Sequence, residues 1–477
     1  MAKTRSREED RVERVQRLLK SPNARIQALM GVLHPTEIAQ ILEDTPYETQ
    51  QKIVKQLPPD VLSEALSEMD EDSYPGQLLL LLNPSVAAEI LKELDFDDAA
   101  DVLSQLPDEK QDEILYFMTD EEESVLNKLL SYDEETAGGL MNPEVVKVRE
   151  NMSKLEALRE VVQQSEEMEE FYTIYVVDEE GNLSGYLTFR ALFVSRNTEL
   201  IKNIMSTDIV SVSVDMDQED VAKMMAQYNL PTLPVINPEG NLVGRITFDD
   251  VMDVIEEEST EDLLNFAGVS DEENLRGGWA DAVKSRIPWL LINLVTASVA
   301  AFTISQFADT IDKLVLLTTL MPIIAGVSGN GATQTLAVTI RRISTDGIPD
   351  RKALGVIIKE LSVGAINGLM LGAVVSLTVA FINSDLEPQF VAMLGLVVFL
   401  AMFGNLMLAG FAGSMIPITL ERMGVDPAVA SSILITAFTD IIGYMLLFGL
   451  ATRILLPLVS TVYETGGFFV DPLLMLP

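Results

Sequence analysis

The side chains best suited to chemistry are oxygen donors set inside long apolar runs. Asp440 lies near the middle of "ILITAFTDIIGYMLLFGLA", Asn330 and Gln334 share "LMPIIAGVSGNGATQTLAV", and Asn405 lies in "FGNLMLAGFAG". Carboxylate and amide oxygens without His or Cys suit a hard cation such as Mg2+ or Ca2+. A charge at bilayer depth is costly, so Asp440 is expected to face an ion pathway. The alternatives are a proton-relay acid and a purely structural, hydrogen-bonded Asp.

A pair of carboxylates would suit a partly hydrated Mg2+, because this ion gives up water reluctantly and is usually held by only one or two acids. Asp440 is one acid per chain. A second copy facing it across a two-fold axis would supply the pair.

The segment around Asn330 also contains Pro322, Gly326, Gly329 and Gly331. Pro and Gly favour a break in a helix, and the freed carbonyls are tolerated at membrane depth only in a wet cavity or inside protein. Small residues can serve close helix packing instead, which is the role expected of Gly364 and Gly368.

Five apolar stretches are long enough, at about 20 residues each, to cross a hydrocarbon core of roughly 30 Å. They lie near 287–308, 314–340, 356–382, 390–418 and 428–457. The connection "RRISTDGIPDRKA" is rich in Arg and Lys, whereas "NSDLEPQ" has none. This asymmetry predicts a cytoplasmic N-terminus and an extracytoplasmic C-terminus in a cell membrane.

Charge is distributed very unevenly along the 477 residues. The first 286 residues carry 61 acidic and 25 basic side chains, and the remainder carries 12 and 8. So acidic a region repels phosphate backbones, which argues against nucleic acid as a partner and favours cations. The absence of Cys excludes disulfides and thiolate sites, and His34 in "LHPTE" is expected at a solvated helix start. The N-terminal segment lacks an apolar core, so no cleaved signal is predicted.

Two internal repeats organise the acidic part. "LHPTEIAQILEDTPYETQQKIVKQL" aligns with "LNPSVAAEILKELDFDDAADVLSQL", and helix pairs of this kind predict a small α-solenoid. "DEEGNLSGYLTFRAL" aligns with "NPEGNLVGRITFDDV", with a Gly-Asn turn between strands, which predicts two α/β modules. These resemble CBS modules, a regulatory fold that often binds adenine nucleotides.

An acidic helix is predicted between the modules and the membrane. In "DDVMDVIEEESTEDLLNFAGV", Glu258, Glu261 and Asp262 share one helical face, and residues 246–275 contain no Lys or Arg. Stacked like charges destabilise a helix by a few tenths of a kcal/mol per pair. A bound cation would relieve this repulsion. A plain solvated acidic helix explains the pattern equally well.

The order of these parts, with the phrases "MPIIAGVSGNGATQTLAV" and "GNLMLAGFAGSMIPITLERMGVDPAVASSILITAFTDIIGYMLLFGLA", resembles the MgtE family of magnesium channels and transporters. The resemblance implies a multidomain chain of an N-terminal α-solenoid, tandem CBS modules, a connecting plug helix and a five-helix transmembrane domain. The implied boundaries are 1–136, 137–200, 201–256, 257–283 and 284–477.

The resemblance implies a homodimeric, Mg2+-selective pore that takes up Mg2+ and closes when cytosolic Mg2+ bridges acidic surfaces. Asp440 corresponds to the pore acid, with Asn330, Gln334 and Asn405 as further oxygen donors. The regulatory role passes by motif position to Asp97, Asp101, Asp217, Glu219, Asp250, Asp253, Glu258, Glu261, Asp262 and Asp426.

Several positions depart from the family pattern. Ser328 stands where relatives often have Gly, Ala308 where many carry an acid, and Asn229 at a place that can be acidic. The ribose-binding pattern Thr-x-x-Asp lacks its acid at Thr188–Ala191. In the second CBS module this pattern is complete, with Thr247 and Asp250. Asp250 is also a predicted metal ligand, so regulation by ATP is doubtful.

Two other classes of protein could use an acid within a membrane span. A metal-dependent membrane enzyme would need several acids with a base or nucleophile in the spans, and no such cluster is present. The chain is therefore expected not to be an enzyme. A carrier coupled to Na+ or H+ is the alternative, because one intramembrane Asp could serve it.

Overall fold

The computed structural model describes residues 33–70, 73–165, 171–270, 278–346 and 348–464. The chain forms two compact units, Met1–Glu258 and Ser259–Pro477. The prediction about a cleaved signal falls on residues 1–32, outside the described residues.

From Leu33 onward, the described part of the first unit contains short helices whose first or capping residue is mostly Pro or Asp. They are α1 (Pro35–Glu43), α2 (Tyr47–Val54), α3 (Pro59–Ser67), α4 (Pro75–Leu79), α5 (Pro84–Leu91), α6 (Phe96–Ser104), α7 (Asp108–Leu115) and α8 (Asp120–Leu129). Proline at the first helical position costs nothing because its missing N–H would be unpaired there anyway. Exposed His34 caps α1, as predicted.

Each of these helices packs against the next but one, as α1 does on α3 and α5 on α7. The two aligned repeats correspond to α1–α2 and α5–α6. Leu42 and Leu91 occupy equivalent buried positions in the two copies. This packing is the pattern expected of helix pairs that bury their apolar faces only against neighbours.

The CBS part contains two three-stranded sheets, ordered β1-β2-β3 and β4-β5-β6. The strands are β1 (Lys147–Arg149), β2 (Ile174–Val177), β3 (Leu183–Leu187), β4 (Val212–Ser213), β5 (Thr232–Ile236) and β6 (Leu242–Thr247). The helices among them are α9 (Lys154–Gln164), α10 (Phe189–Val194) and α11 (Gln218–Tyr228), with a 3-10 turn at Ile201–Asn203. In each sheet the first pair is parallel and the second antiparallel.

The two predicted Gly-Asn turns lie between β2 and β3 and between β5 and β6. Gly181 and Gly240 have φ of 92° and 91°, a backbone region that glycine tolerates best. Asn182 pairs with Asn241, and the Leu183 N–H donates to the Gly240 carbonyl at 3.1 Å. The turns therefore join the two modules to each other.

Helix α12 (Phe248–Ala267) follows β6 directly. It runs without interruption through the expected boundary between residues 256 and 257, so the acidic stretch is helical, as predicted. Residues 271–277 of the expected connection lie outside the described residues.

The second unit contains the apolar helices. They are α13 (Trp279–Ser305), the short α14 (Ala308–Lys313), α15 (Leu316–Asp346), α16 (Asp350–Ile382), α17 (Pro388–Arg422) and α18 (Pro427–Glu464). By length and composition, four helices of the described chain could cross a membrane: α13, α16, α17 and α18. Helix α15 is 31 residues long but is not among these four, so the fifth predicted span remains a prediction.

The expected break near Pro322 is not observed, because α15 is continuous from Leu316 to Asp346. Neighbouring helices allow Pro and Gly within a membrane helix. Gly331 illustrates the role of the small residues here: a Cβ on it would lie 2.9 Å from Leu406 Cδ2 of α17.

Close packing by Gly364 and Gly368 is confirmed. A Cβ added to Gly368 would lie 2.9 Å from the Phe403 Cα and carbonyl oxygen, and one on Gly364 would overlap the Leu406 backbone. Gly410 of α17 meets the Glu360 backbone in the same way. The glycines therefore let α16 and α17 approach nearly backbone to backbone.

Candidate cation-binding sites

Asp440 lies inside α18, within the part of this helix that is apolar enough to span a membrane. Its side chain is half-buried, and among the described residues it has no hydrogen-bond or ion-pair partner. Neighbouring Thr439 is fully buried, but its hydroxyl donates to the Ile435 carbonyl at 3.1 Å. The Asp440 carboxylate is thus left without a partner among the described residues, whereas a purely structural, hydrogen-bonded role would require one.

Within one protomer, none of the other predicted pore residues hydrogen-bonds to Asp440. Asn330 and Gln334 lie one turn apart on an exposed face of α15 that also includes Gly326. Asn405 is fully buried in α17. The outward face of α15 is therefore available to a second chain, whereas Asn405 lies in the interior of the unit.

A first group of acids in the soluble unit, which we call the Asp97 cluster, comprises Asp97, Asp98 and Asp250. Asp97 is 9% exposed, and the Asn142 amide donates to its Oδ1 at 3.1 Å. Thr247 donates to Asp250 Oδ2 through its hydroxyl and, at 3.1 Å, its backbone N–H. Helices α6 and α12 supply these acids.

Burial and mutual repulsion make the Asp97 cluster hard to ionise. Burial, followed by the charges of Asp98 and Asp250, raises the pKa of Asp97 well above its usual value. Burial and the charges of Asp250 and Asp95 raise the pKa of Asp98 to about 7. Burial also raises the pKa of Asp250, against the opposing Thr247 hydrogen bonds. A divalent cation would relieve both the repulsion and the desolvation of the charged forms.

Other acids surround this cluster. Burial, with repulsion from Glu256, Asp249 and Glu68, raises the pKa of Asp253. Asp101 is half-buried and adds to the repulsion on Asp97. Sequence reasoning chose Asp97, Asp101, Asp250 and Asp253 but missed Asp98. The sequence signal for Asp98 was the paired acid in "FDDAADVL".

A second group, which we call the Glu258 cluster, comprises Glu258, Asp217, Glu219 and Glu135. The Gln218 amide donates to Glu258 Oε1 at 2.9 Å. Burial raises the pKa of Glu258, and repulsion from Glu219, Asp217 and Glu135 adds to this rise. The hydrogen bond from Gln218 opposes it.

Two members of the Glu258 cluster also have local partners. Asp217 caps α11 by accepting the Glu219 N–H at 2.9 Å. Glu219 pairs with Lys223 at 2.8 Å, so it is partly neutralised already.

The remaining predicted acids lie in the second unit. Buried Asn265 of α12 donates to Glu261 Oε1 at 3.1 Å and to Asp426 Oδ2 at 3.5 Å. Asp426 Oδ1 accepts the Ala428 N–H at 2.9 Å, at the start of α18. Asp262, one residue along from Glu261, is half-buried. An amide therefore already bridges Glu261 and Asp426.

No group of three or more His, Asp or Glu side chains in the described ranges is arranged to hold a metal ion. The acids surround shared regions without converging as a preformed set of ligands. Any ion held there would need rearrangement of the side chains or bridging water, as Mg2+ commonly uses.

Sequence reasoning also missed Glu360 of α16, which is 6% exposed. Lys359 Nζ lies 3.0 Å from Glu360 Oε1 and remains largely exposed itself. The signal was the Lys-Glu pair at the start of an apolar run, "GVIIKELSVGAING". Because this acid has a cationic partner, it differs from Asp440.

The two Thr motifs of the CBS modules are engaged in local bonds. Thr188 accepts the Ala191 N–H at 3.2 Å, and Thr247 binds Asp250. Asp250 is therefore shared between this motif and the Asp97 cluster.

These features define a class: a multi-pass membrane protein with a helical-repeat domain, a CBS pair and oxygen donors within its apolar helices. Family models match in the same order. The MgtE intracellular N domain matches residues 33–135, CBS domains match 137–195 and 201–257, and a divalent cation transporter domain matches 321–450.

Curated relatives give a more specific result. The chain is 36% identical over 425 residues to the magnesium transporter MgtE of Enterococcus faecalis, covering 89% of this chain and 92% of the relative. It is 36% identical over 329 residues to the magnesium transporter MgtE of Thermus thermophilus, covering 69% and 72%. The solved cytosolic domain of the Mg2+ channel MgtE in complex with ATP is 35% identical, with a TM-score of 0.45, covering 48% and 93%. The chain belongs to the MgtE family of magnesium transporters.

Proposed function

We propose that the chain forms a homodimer that takes up Mg2+ through a central pore, with Asp440 of each protomer neutralising the partly hydrated ion. The observation that carries this proposal is the partnerless, half-buried Asp440 inside a membrane helix. Such a charge is stable at membrane depth only if it faces water, an ion or an opposite charge.

The outward face of α15 supports the dimer. Asn330 and Gln334 are exposed in a single protomer although they lie in a long apolar helix. In a homodimer this face would line the pathway beside Asp440, where polar side chains can contact hydrated Mg2+. Helix α15 would then be the fifth span, shielded from lipid by the partner.

Orientation follows from the basic residues at the connection of α15 to α16. Arg341, Arg342, Arg351 and Lys352 lie there and predict a cytoplasmic location for it. Alternating spans then place the soluble unit in the cytoplasm and the C-terminus outside.

We further propose that cytosolic Mg2+ closes the pore by binding at the acidic surfaces of the soluble unit and of α12. Burial, with repulsion from neighbouring carboxylates, raises the pKa values of Asp97, Asp98 and Glu258, so a bound cation would stabilise their charged forms. An ion shifts a conformational equilibrium only if it binds one state more tightly. A state that brings more acids together would bind Mg2+ more tightly, which yields negative feedback.

The test is Mg2+ uptake by the full chain in liposomes while Mg2+ is titrated on the side of the soluble unit. Uptake driven by the Mg2+ gradient alone and suppressed by Mg2+ on that side is expected. A strict requirement for a proton or sodium gradient would instead establish a coupled carrier. Limited proteolysis near α12 tests gating separately, because unchanged sensitivity with Mg2+ would contradict closure.

A further inference from the structure

Two buried polar side chains of the second unit lack hydrogen-bond partners among the described residues. Both amide atoms of Asn405 and the hydroxyl of Ser328 are unpaired, and each residue is 0% exposed. Buried polar groups in native proteins are nearly always paired with protein or ordered water, so these two require an explanation.

Asn405 lies where three helices meet. A Cβ placed on Gly443 of α18 would be 2.5 Å from Asn405 Nδ2 and 3.4 Å from Ile324 Cγ2 of α15. Gly443 is therefore the residue whose missing side chain leaves space for the amide.

Ser328 belongs to the same layer of the unit. It follows Ile324 by one turn of α15, and the next contact along this helix is that of Gly331 with Leu406. Along α15, Ser328 therefore lies between the contact of Ile324 with Gly443 and the contact of Gly331 with Leu406, the chain neighbour of Asn405. Ser328 is on the buried side of α15, opposite Asn330 and Gln334.

Asp440 precedes Gly443 by three residues, so the two lie on the same side of α18, about one turn apart. Neither Asn405 nor Ser328 bonds directly to the carboxylate. Buried polar groups that do not bond one another directly are commonly connected by water, which needs two to four polar partners. Asn405 Oδ1 and Nδ2, Ser328 Oγ and the Asp440 carboxylate supply that number.

We propose that Asn405 and Ser328 form an internal water site on the protein side of Asp440, and that water held there orients this carboxylate toward the transported ion. The inference rests on the proposed pore role of Asp440. Asn405 then acts as a positioning residue behind the pore acid, and Ser328 joins it.

The test compares Asn405→Leu and Ser328→Ala with Ser414→Ala in the liposome assay. Ser414 is a matched control because it is also 0% exposed, whereas its hydroxyl donates to the Gly410 carbonyl at 2.9 Å. Losing an orienting hydrogen bond to a charge should raise the Mg2+ concentration for half-maximal uptake about tenfold in Asn405→Leu. Ser328→Ala should shift it in the same direction, with reduced preference for Mg2+ over Ca2+, and Ser414→Ala should match the parent.

A dry site gives the opposite signature. Replacing an unpaired buried amide by an apolar side chain of similar shape would then raise thermal stability in detergent and leave the half-maximal concentration unchanged. Ser328→Ala is the smaller change of the two. If it raises thermal stability and leaves the half-maximal Mg2+ concentration unchanged, the water site is overturned, even if Asn405→Leu fails to fold.

Asp440→Ala, measured alongside, separates the pore role of Asp440 from the water site behind it. If it leaves uptake intact, the pore role fails. If it abolishes uptake while Asn405→Leu and Ser328→Ala behave like Ser414→Ala, the water site alone is wrong.

Discussion

The two units treat negative charge in opposite ways. The first contains several carboxylates whose pKa values are raised by burial and by neighbouring acids, as at Asp97 and Asp98. The apolar helices of the second contain few acids, of which Glu360 has a Lys partner and Asp440 has none. A group of neighbouring acids binds cations to a degree that follows the cation concentration, which suits a sensor. A lone acid within a membrane helix suits a single ion-binding position in a pathway.

The largest expected effect concerns the lone acid. Asp440→Asn should lower Mg2+ uptake about 100-fold or more, since losing the charge that offsets a desolvated ion costs about 3 kcal/mol or more. Mg2+ uptake into liposomes is measured with radioactive 28Mg or with a fluorescent Mg2+ indicator. The control is Asp385→Asn, which removes the same charge from an exposed connection. Equal uptake by the two variants would contradict the special role proposed for the lone acid of the second unit.

A smaller effect is expected at the crowded acids. Combining Asp97→Asn, Asp98→Asn and Asp250→Asn should raise the inhibitory Mg2+ concentration about tenfold or more, because charge-assisted contacts to the ion are lost. Maximal uptake should persist.

The matched control for this triple variant is Asp108→Asn, Glu109→Gln and Asp112→Asn, which removes three charges from exposed positions of α7. An equal shift in both variants would mean that total charge, and not the Asp97 cluster, senses Mg2+.

The pKa of about 7 for Asp98 predicts a pH effect. Protons compete with Mg2+ below this pKa, so the inhibitory concentration should be about tenfold higher at pH 6 than at pH 8. Asp98→Asn should weaken this dependence, with a remainder due to Asp97, whose pKa is also raised. A parent whose inhibition is independent of pH would contradict the assignment.

The free energy of unfolding should change with pH in the opposite direction to that expected for an ion-paired acid. The folded pKa of Asp98 is raised, so between about pH 4 and pH 7 the folded state binds more protons than the unfolded one. Without Mg2+, the free energy of unfolding should therefore fall as pH rises through this window. Thermal unfolding of the full chain in EDTA checks this, and added Mg2+ should reduce the slope.

The smallest effect is expected at the Glu258 cluster. Glu258→Gln should raise the inhibitory Mg2+ concentration only about twofold, because its surroundings are partly solvated and such pairs contribute about 0.5 kcal/mol. Glu239→Gln, on an exposed turn, is the control. A shift as large as that of the triple variant would make this cluster the principal sensor.

Local patterns predicted much of the architecture. Helix starts at Pro, the paired Gly-Asn turns and the glycines of "GAING" all rest on constraints within a few residues, and they appear as expected. The helix break at Pro322 was wrong because neighbouring helices, which sequence cannot weigh, keep α15 continuous.

The candidate sites were only partly accessible to sequence reasoning. Asp440 was evident because a charge contrasts with an apolar run. Asp98 and Ser328 were not, because the significance of each depends on burial and on partners from distant segments.

The sequence by itself determined where charge can be tolerated: a run of apolar residues marks a membrane helix, and an acid within it is conspicuous whatever the fold. Tertiary structure decided which polar groups are satisfied. Asn330 faces outward and Asn405 inward, although both are amides in apolar helices, because helix packing alone sets which face is buried.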